Sequence, residues 1–198
     1  MKSDIVLAGV GGQGILTIAT ILGAAALNEN LHLKQAEVHG MSQRGGDVQS
    51  NLRLSSDPIH SDLIPLGGSD LIVSLEPMEA LRYLPYLSKT GWIVTNSQPF
   101  VNIDNYPEME KVEAALAACQ RVVAFDMDAV AKEVATARSS NLVLLGAASP
   151  FIDLEAEKIE QGIRDTFASK GEKIVDSNIA AFRAGRKIAA EIKEKANA

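Results

Sequence analysis

Short β-branched runs alternate along the chain with longer segments of helical composition. Asp4-Ile5-Val6-Leu7-Ala8 reads as a strand, and Ile15 to Asn28, free of proline, as the helix that follows it. Leu33 to Val38 and Val48 to Leu54 are the next two strands; the second alternates Val48, Ser50, Leu52 and Leu54 with Gln49, Asn51 and Arg53, which predicts one wetter face and a place near a sheet edge. Leu71 to Leu75 is a buried strand. Pro77 then opens a helix over Met78 to Leu87, with Met78, Leu81 and Leu84 on one face. Gly91 restarts a strand at Trp92 to Thr95, and Gln98 to Tyr106 lacks periodicity and reads as a loop.

A helix over Pro107 to Cys119, a strand at Val122 to Phe125 and a helix over Met127 to Ala137, capped by Asp126, continue the alternation. Beyond Ser139 the pattern turns helical. Asn141 to Ala148 is apolar almost throughout, which suits a buried helix but by periodicity alone also a strand. Asp153 can cap a helix running to Ser169; Ser177 or Asn178 can cap the last one, which turns Ile179, Phe182, Ile188 and Ile192 to the core. The expected fold is α/β: a layered, Rossmann-like sheet, largely parallel or mixed, flanked by helices and closed by C-terminal helices from about residue 140.

Composition narrows the function. With 198 residues, 46% of them apolar, one domain with a full core is expected. A net charge of −6 argues against a nucleic-acid partner, whose phosphates demand clustered Lys and Arg. No apolar run approaches the roughly 20 residues of a membrane span, and Met1-Lys2-Ser3-Asp4 leads at once into a strand, so a cytoplasmic protein is expected. The lone cysteine, Cys119, excludes an internal disulfide and an iron–sulfur cluster held by this chain alone. His32, His39 and His60 have no ligand spacing, so no metal is expected. Cys119 itself reads as a small apolar residue at a helix end.

Candidate chemistry gathers at two glycine-bearing turns. Gly9, Gly11 and Gly14 fit G-x-G-x-x-G between a strand and a helix, where glycine permits a tight turn and close approach of an anion to backbone N–H groups. Gly12 and Gln13 inside it are unexplained by that fingerprint. A helix N-terminus contributes only about 0.3–1 kcal/mol to an exposed anion, too little to hold a nucleotide unaided. A dinucleotide reading would recruit Glu37 to meet a ribose; otherwise Glu37 is a solvated strand-end charge. The second turn carries His39, Gln43, Arg44, Gly45 and Gly46. Arg44 between glycines offers a rigid fork of donors suited to carboxylate or phosphate.

Together, Glu37-Val38-His39-Gly40-Met41-Ser42-Gln43-Arg44-Gly45-Gly46 and Gly9-Val10-Gly11-Gly12-Gln13-Gly14 resemble the gamma-type subunits of the 2-oxoacid:ferredoxin oxidoreductases. The likeness extends through Glu76-Pro77-Met78-Glu79-Ala80-Leu81-Arg82 and Asn96; it is dense over the first half and in outline over the C-terminal helices. Within the family it is most similar to forms acting on arylpyruvates such as indolepyruvate. The resemblance implies a single domain over residues 1–198, like the gamma domain of pyruvate:ferredoxin oxidoreductase. It also implies a part in oxidative decarboxylation of an arylpyruvate with coenzyme A, giving an aryl-acyl-CoA, carbon dioxide and reduced ferredoxin. Thiamine diphosphate and iron–sulfur clusters are then expected on a large partner subunit, with ferredoxin reached through the complex and no cofactor held by this chain. No catalytic residue is expected here.

His39, Gln43 and Arg44, with the Gly9 to Gly14 turn, are expected to face the partner's active-site mouth and to position coenzyme A or the 2-oxoacid carboxylate. Two other classes stand beside this one: a free-standing NAD-binding protein using Glu37, and a pure assembly module in which the second turn only makes an interface. Glu76, Asn96 and Asp126 end successive strands and form a secondary cluster at the edge where α/β ligand crevices lie, although Glu76 and Asp126 also suit helix caps.

Overall fold

The computed structural model describes residues 1–39, 45–101 and 103–197, with His39 and Asn197 described by their backbone alone. Its sheet has the strand order β2-β3-β1-β4-β5-β6. The strands are β1 (Lys2–Val10), β2 (His32–His39), β3 (Asp47–Ser55), β4 (Ser69–Ser74), β5 (Leu87–Asn96) and β6 (Val122–Phe125). β1, β4, β5 and β6 pair in parallel, whereas β3 lies antiparallel between β1 and β2. The largely parallel, mixed sheet is therefore as expected. β3 lies one strand in from the edge strand β2, near the sheet edge as expected, and its polar residues are used internally. Asn51 accepts the N–H of Ile64, and Arg53 grips the buried Asp4 with two hydrogen bonds of 2.7 and 3.0 Å.

The apolar residues of β1 divide by parity. Ile5 and Leu7 join the core on one face, with helices α1 (Ile15–Asn28), α5 (Ser140–Ala148), α6 (Ala156–Phe167) and α7 (Glu172–Asn197). Val6 and Ala8 join the other, with α2 (Pro77–Arg82) and α3 (Met109–Ala117). A central strand covered on both faces must be apolar at every position, which explains the unbroken run.

Several boundaries moved for identifiable reasons. The helix from Pro77 stops at Arg82 and gives way to a 3₁₀ turn, Leu84–Tyr86, because Pro85 cannot supply the N–H that an α-helix needs. β5 begins at Leu87 rather than Trp92. α4 (Met127–Val134) ends three residues short of Ala137. Asn141 to Ala148 is helical. Asp153 caps nothing; its N–H donates to Ser3 Oγ, and α6 starts after Glu155. Ser177 and Asn178 are interior to α7, which starts at Glu172 just after Gly171. Among the described residues no helix is long and apolar enough to cross a membrane.

Candidate functional site

The carboxyl ends of β1, β2, β4, β5 and β6 share one edge of the sheet, and the glycine loop lies at its middle. β1 ends at Val10, and α1 begins after Gly14, whose φ of 84° lies in the left-handed region. A Cβ on Gly14 would also lie 2.8 Å from Asn141 Nδ2. Gln13, unexplained by the dinucleotide fingerprint, has a structural role. Its Oε1 accepts the N–H of Val10 at 2.8 Å, and its Nε2 donates to the carbonyl of Leu75 at 3.3 Å. The loop is thus closed on itself and tied to the end of β4.

The two turns are joined by their backbones. Gly11 N–H donates to the Gly46 carbonyl at 2.8 Å, and Gly45 N–H donates to the Gly11 carbonyl at 3.2 Å. Gly11, Gly12, Gln13, Gly14, Gly45 and Gly46 therefore belong to one surface, while Gly9 is buried within β1. His39 ends β2, its backbone in register with Val48, which lies opposite Gly9. Gln43 and Arg44 lie outside the described residues.

Beside the glycine loop a cleft of about 550 Å³ opens toward β5, α4 and α5. Gly11 to Gly14 form one wall; Asn96, Phe100, Asp128, Arg138, Ser140 and Asn141 are among the residues opposite. Its floor is wired by side chains. Asn96 Oδ1 accepts the N–H groups of Met127 and Gln98, at 3.0 and 3.3 Å, and its Nδ2 donates to Asp128 at 2.9 Å. Ser140 donates to the other oxygen of Asp128, and Asn141 Nδ2 donates to the Gly14 carbonyl at 3.3 Å. Asn141 Oδ1 is buried without a hydrogen-bond partner among the described residues. The cleft offers backbone amides, a guanidinium and a carboxylate, groups suited to holding a polar molecule.

Asn96 reaches this cleft, but Glu76 and Asp126 serve as helix caps. Asp126 accepts the N–H of Ala129 at 2.8 Å at the start of α4. Glu76, buried, accepts the N–H of Glu79 at 2.8 Å at the start of α2, and Tyr106 donates its hydroxyl to the other carboxylate oxygen. Burial pushes the Glu76 carboxyl above the usual range, outweighing the hydrogen bonds from Tyr106 and from the N–H groups of Glu79 and Phe100. Burial, and the hydrogen bond to Glu76, push the Tyr106 hydroxyl up as well.

Sequence reasoning missed Asp128, Arg138, Ser140 and Asn141. A signal for three of them was the polar run Arg138-Ser139-Ser140-Asn141 that opens the apolar segment after residue 141; Asp128, in the first turn of α4, had only its place just after a strand end. The dinucleotide geometry is also altered. With β3 between β1 and β2, Glu37 lies two strand spacings from β1, about 9–10 Å, instead of on the adjacent strand. Among the described residues no group of three or more His, Cys, Asp or Glu side chains is placed to hold a metal ion. The Cys119 thiol donates to the Ala115 carbonyl at 3.4 Å, beside the smaller core.

A family model described as pyruvate ferredoxin/flavodoxin oxidoreductase matches residues 4–188. The chain belongs to that family. The indolepyruvate oxidoreductase subunit IorB of Pyrococcus horikoshii is 39% identical over 199 residues, covering 96% of each chain. Among solved structures, the gamma subunit of a keto/oxoacid ferredoxin oxidoreductase from Geobacter sulfurreducens superposes with a TM-score of 0.68 at 22% identity, covering 96% of this chain and 99% of that one. A 2-oxoglutarate:ferredoxin oxidoreductase from Magnetococcus marinus, solved with 2-oxoglutarate, coenzyme A and succinyl-CoA bound, gives a TM-score of 0.71 at 22% identity, covering 96% of this chain but 31% of that one. The structural likenesses show the fold. The chain is a subunit of a ferredoxin-dependent 2-oxoacid oxidoreductase.

Proposed function

We propose that this chain, as one gamma-type domain over residues 1–198, is the small subunit of a cytoplasmic enzyme that oxidatively decarboxylates an arylpyruvate such as indolepyruvate. The bond between the carboxylate and the keto carbon breaks, releasing carbon dioxide. The acyl group joins the sulfur of coenzyme A, whose thiol proton is released, and an electron pair passes to ferredoxin. Thiamine diphosphate and iron–sulfur clusters, carried by a large partner subunit, supply carbanion stabilisation and electron transfer. This chain's contribution is to bind and orient.

One observation carries the reading: Gly11 is hydrogen-bonded to both Gly45 and Gly46, at the mouth of a polar cleft on the carboxyl edge. The residues that immediately follow Arg44 are thereby held against the glycine loop. Arg44, with His39 and Gln43, is assigned to position coenzyme A or the 2-oxoacid carboxylate, for which a guanidinium fork between glycines is suited. The identity to relatives named as indolepyruvate oxidoreductase subunits supports the choice of 2-oxoacid.

Reconstitution with the large subunit tests this, with ferredoxin reduction measured on indolepyruvate, phenylpyruvate, pyruvate and 2-oxoglutarate. Aryl substrates are expected to give the highest kcat/KM. Arg44→Ala is expected to raise KM for coenzyme A or for the oxoacid at least tenfold in an intact complex. Unchanged KM values would return Arg44 to a turn or interface role, and tight binding of NAD(H) by the isolated chain would overturn the assignment.

A further inference from the structure

The dipeptide Leu75-Glu76, at the end of β4, is tied to both walls of the cleft. The Leu75 carbonyl accepts the side-chain N–H of Gln13 at 3.3 Å, which fixes the glycine loop on one side. Opposite it, Gln98, Pro99 and Phe100 line the cleft from the connection between β5 and α3. That connection is tied to Glu76: the Tyr106 hydroxyl and the Phe100 N–H both donate to its carboxylate. Glu76 is held in turn by Ser74. Its N–H donates to Ser74 Oγ at 3.1 Å, and that hydroxyl donates to the Glu76 carbonyl at 2.7 Å.

Helix capping alone does not account for a glutamate here. The preferred N-caps are the short side chains of Asn, Asp, Ser and Thr, and Asp126 serves α4 in that way. Glu76 caps α2 but is only 1% exposed, and a buried carboxyl is costly unless its hydrogen bonds compensate. Two of its donors, Phe100 and Tyr106, belong to the connection rather than to α2. That connection runs from 97 to 108, longer than the about two to six residues usual between a strand and a helix, and has no helix or strand among its described residues. A segment of this length needs outside contacts to keep one shape, and the longer side chain of Glu76 reaches far enough to supply them.

Resting on the function proposed above, we propose that Glu76 is a positioning residue for the coenzyme A or oxoacid held in the cleft: Leu75 and Glu76 together set the gap between the glycine loop and the wall formed by Gln98 to Phe100. Glu76 does not line the cleft and touches no ligand; it acts through Tyr106 and the Phe100 N–H. Releasing the second wall removes binding that ground state and transition state share, so KM rises while kcat holds.

The test uses the complex reconstituted with the large subunit and four forms of this chain: wild type, Glu76→Ala, Tyr106→Phe and, as a control, Ile159→Val. Ile159 is fully buried in α6 and lines no part of the cleft. Ferredoxin reduction gives kcat and the KM values for coenzyme A and the oxoacid, and amide exchange is followed at Gln98 and Phe100. Glu76→Ala is expected to raise one of the two KM values roughly tenfold and Tyr106→Phe the same one roughly threefold, with kcat within about twofold of wild type and faster exchange at both amides. Ile159→Val is expected to lower Tm and to leave KM and exchange as in wild type. Where Glu76→Ala fails to fold, Tyr106→Phe decides, because it keeps the ring and the cap of α2. Unchanged KM values in Tyr106→Phe, whether or not exchange is faster, overturn the positioning role and leave the proposed function intact. A KM raised equally by Ile159→Val also overturns it, since lost stability alone would then suffice. A wild-type complex that reduces ferredoxin with no 2-oxoacid overturns both.

Discussion

Gln13 donates its side-chain N–H to the carbonyl of Leu75, 3.3 Å away, across the gap between the glycine loop and the end of β4. The same amide accepts the N–H of Val10 at 2.8 Å, so both of its polar atoms are used. A loop of glycines has little intrinsic stiffness, and this one is braced by a side chain from within it, beside the backbone bonds of Gly11 to Gly45 and Gly46. The rigidity matters because the cleft wall and the hydrogen bonds to Gly45 and Gly46 depend on the same backbone.

Replacing Gln13 by alanine is expected to lower stability by about 1–3 kcal/mol, because the Val10 N–H and the Leu75 carbonyl lose their shared partner. Gln13→Glu keeps an acceptor for Val10 but turns an oxygen toward the Leu75 carbonyl, so its cost is expected to match or exceed that of alanine. Urea unfolding measures the loss, and faster amide exchange at Val10, Gly11 and Gly45 in native conditions locates it. A Gln13→Ala protein with unchanged exchange at those amides would show that the loop is held by its backbone alone.

The alternation of strands and helices was legible because runs like β1 are buried on both faces and helices such as α4 and α6 carry a one-sided stripe, whereas α5, buried all round, was ambiguous. Strand order was not. Nothing local to His32–His39 or Asp47–Ser55 says that the later strand inserts antiparallel next to β1; that depends on a hairpin pairing over the full length of both. The glycine loop could be found from its motif, but its connection to Gly45 and Gly46 is a contact between segments distant in sequence. Asn141 and Asp128 were hidden for the same reason: each resembles an ordinary helix-start residue until the fold brings three helix starts to one edge. Pro85 is the opposite case, a purely local signal, present in the sequence, that a helix extended to Leu87 passes over.

Two glycines in the C-terminal helices have a packing role that composition does not reveal. A Cβ on Gly146 of α5 would fall 1.9 Å from the Phe182 carbonyl oxygen, and one on Gly185 of α7 would fall 2.0 Å from that of Val143. α5 and α7 therefore meet backbone to backbone. Gly146→Ala and Gly185→Ala are each expected to cost about 3 kcal/mol or more, by forcing the helices apart. Gly23, inside α1, meets only the Leu33 side chain at 3.4 Å, so Gly23→Ala is expected to be neutral or to gain up to about 1 kcal/mol from helix propensity. Thermal denaturation of the three variants checks the opposite signs; a mild effect at both Gly146 and Gly185 would contradict the close crossing.

The buried Glu76 carboxyl gives stability a pH dependence whose direction follows from its raised pKa. A carboxyl that ionises less readily in the folded state contributes stability that is fully present below its unfolded pKa and lost as pH rises through the folded value. Glu76→Gln retains an acceptor for the Glu79 N–H and removes the ionisation, so its stability relative to wild type is expected to improve as pH rises above the ordinary carboxyl range. Tyr106→Phe removes a hydrogen bond that favours the ionised form, so the wild-type loss is expected to move to higher pH in that variant. Urea titrations of the three proteins at a series of pH values provide the comparison. A Glu76→Gln stability that stays constant relative to wild type, or falls, as pH rises would show that hydrogen bonding rather than burial governs this carboxyl.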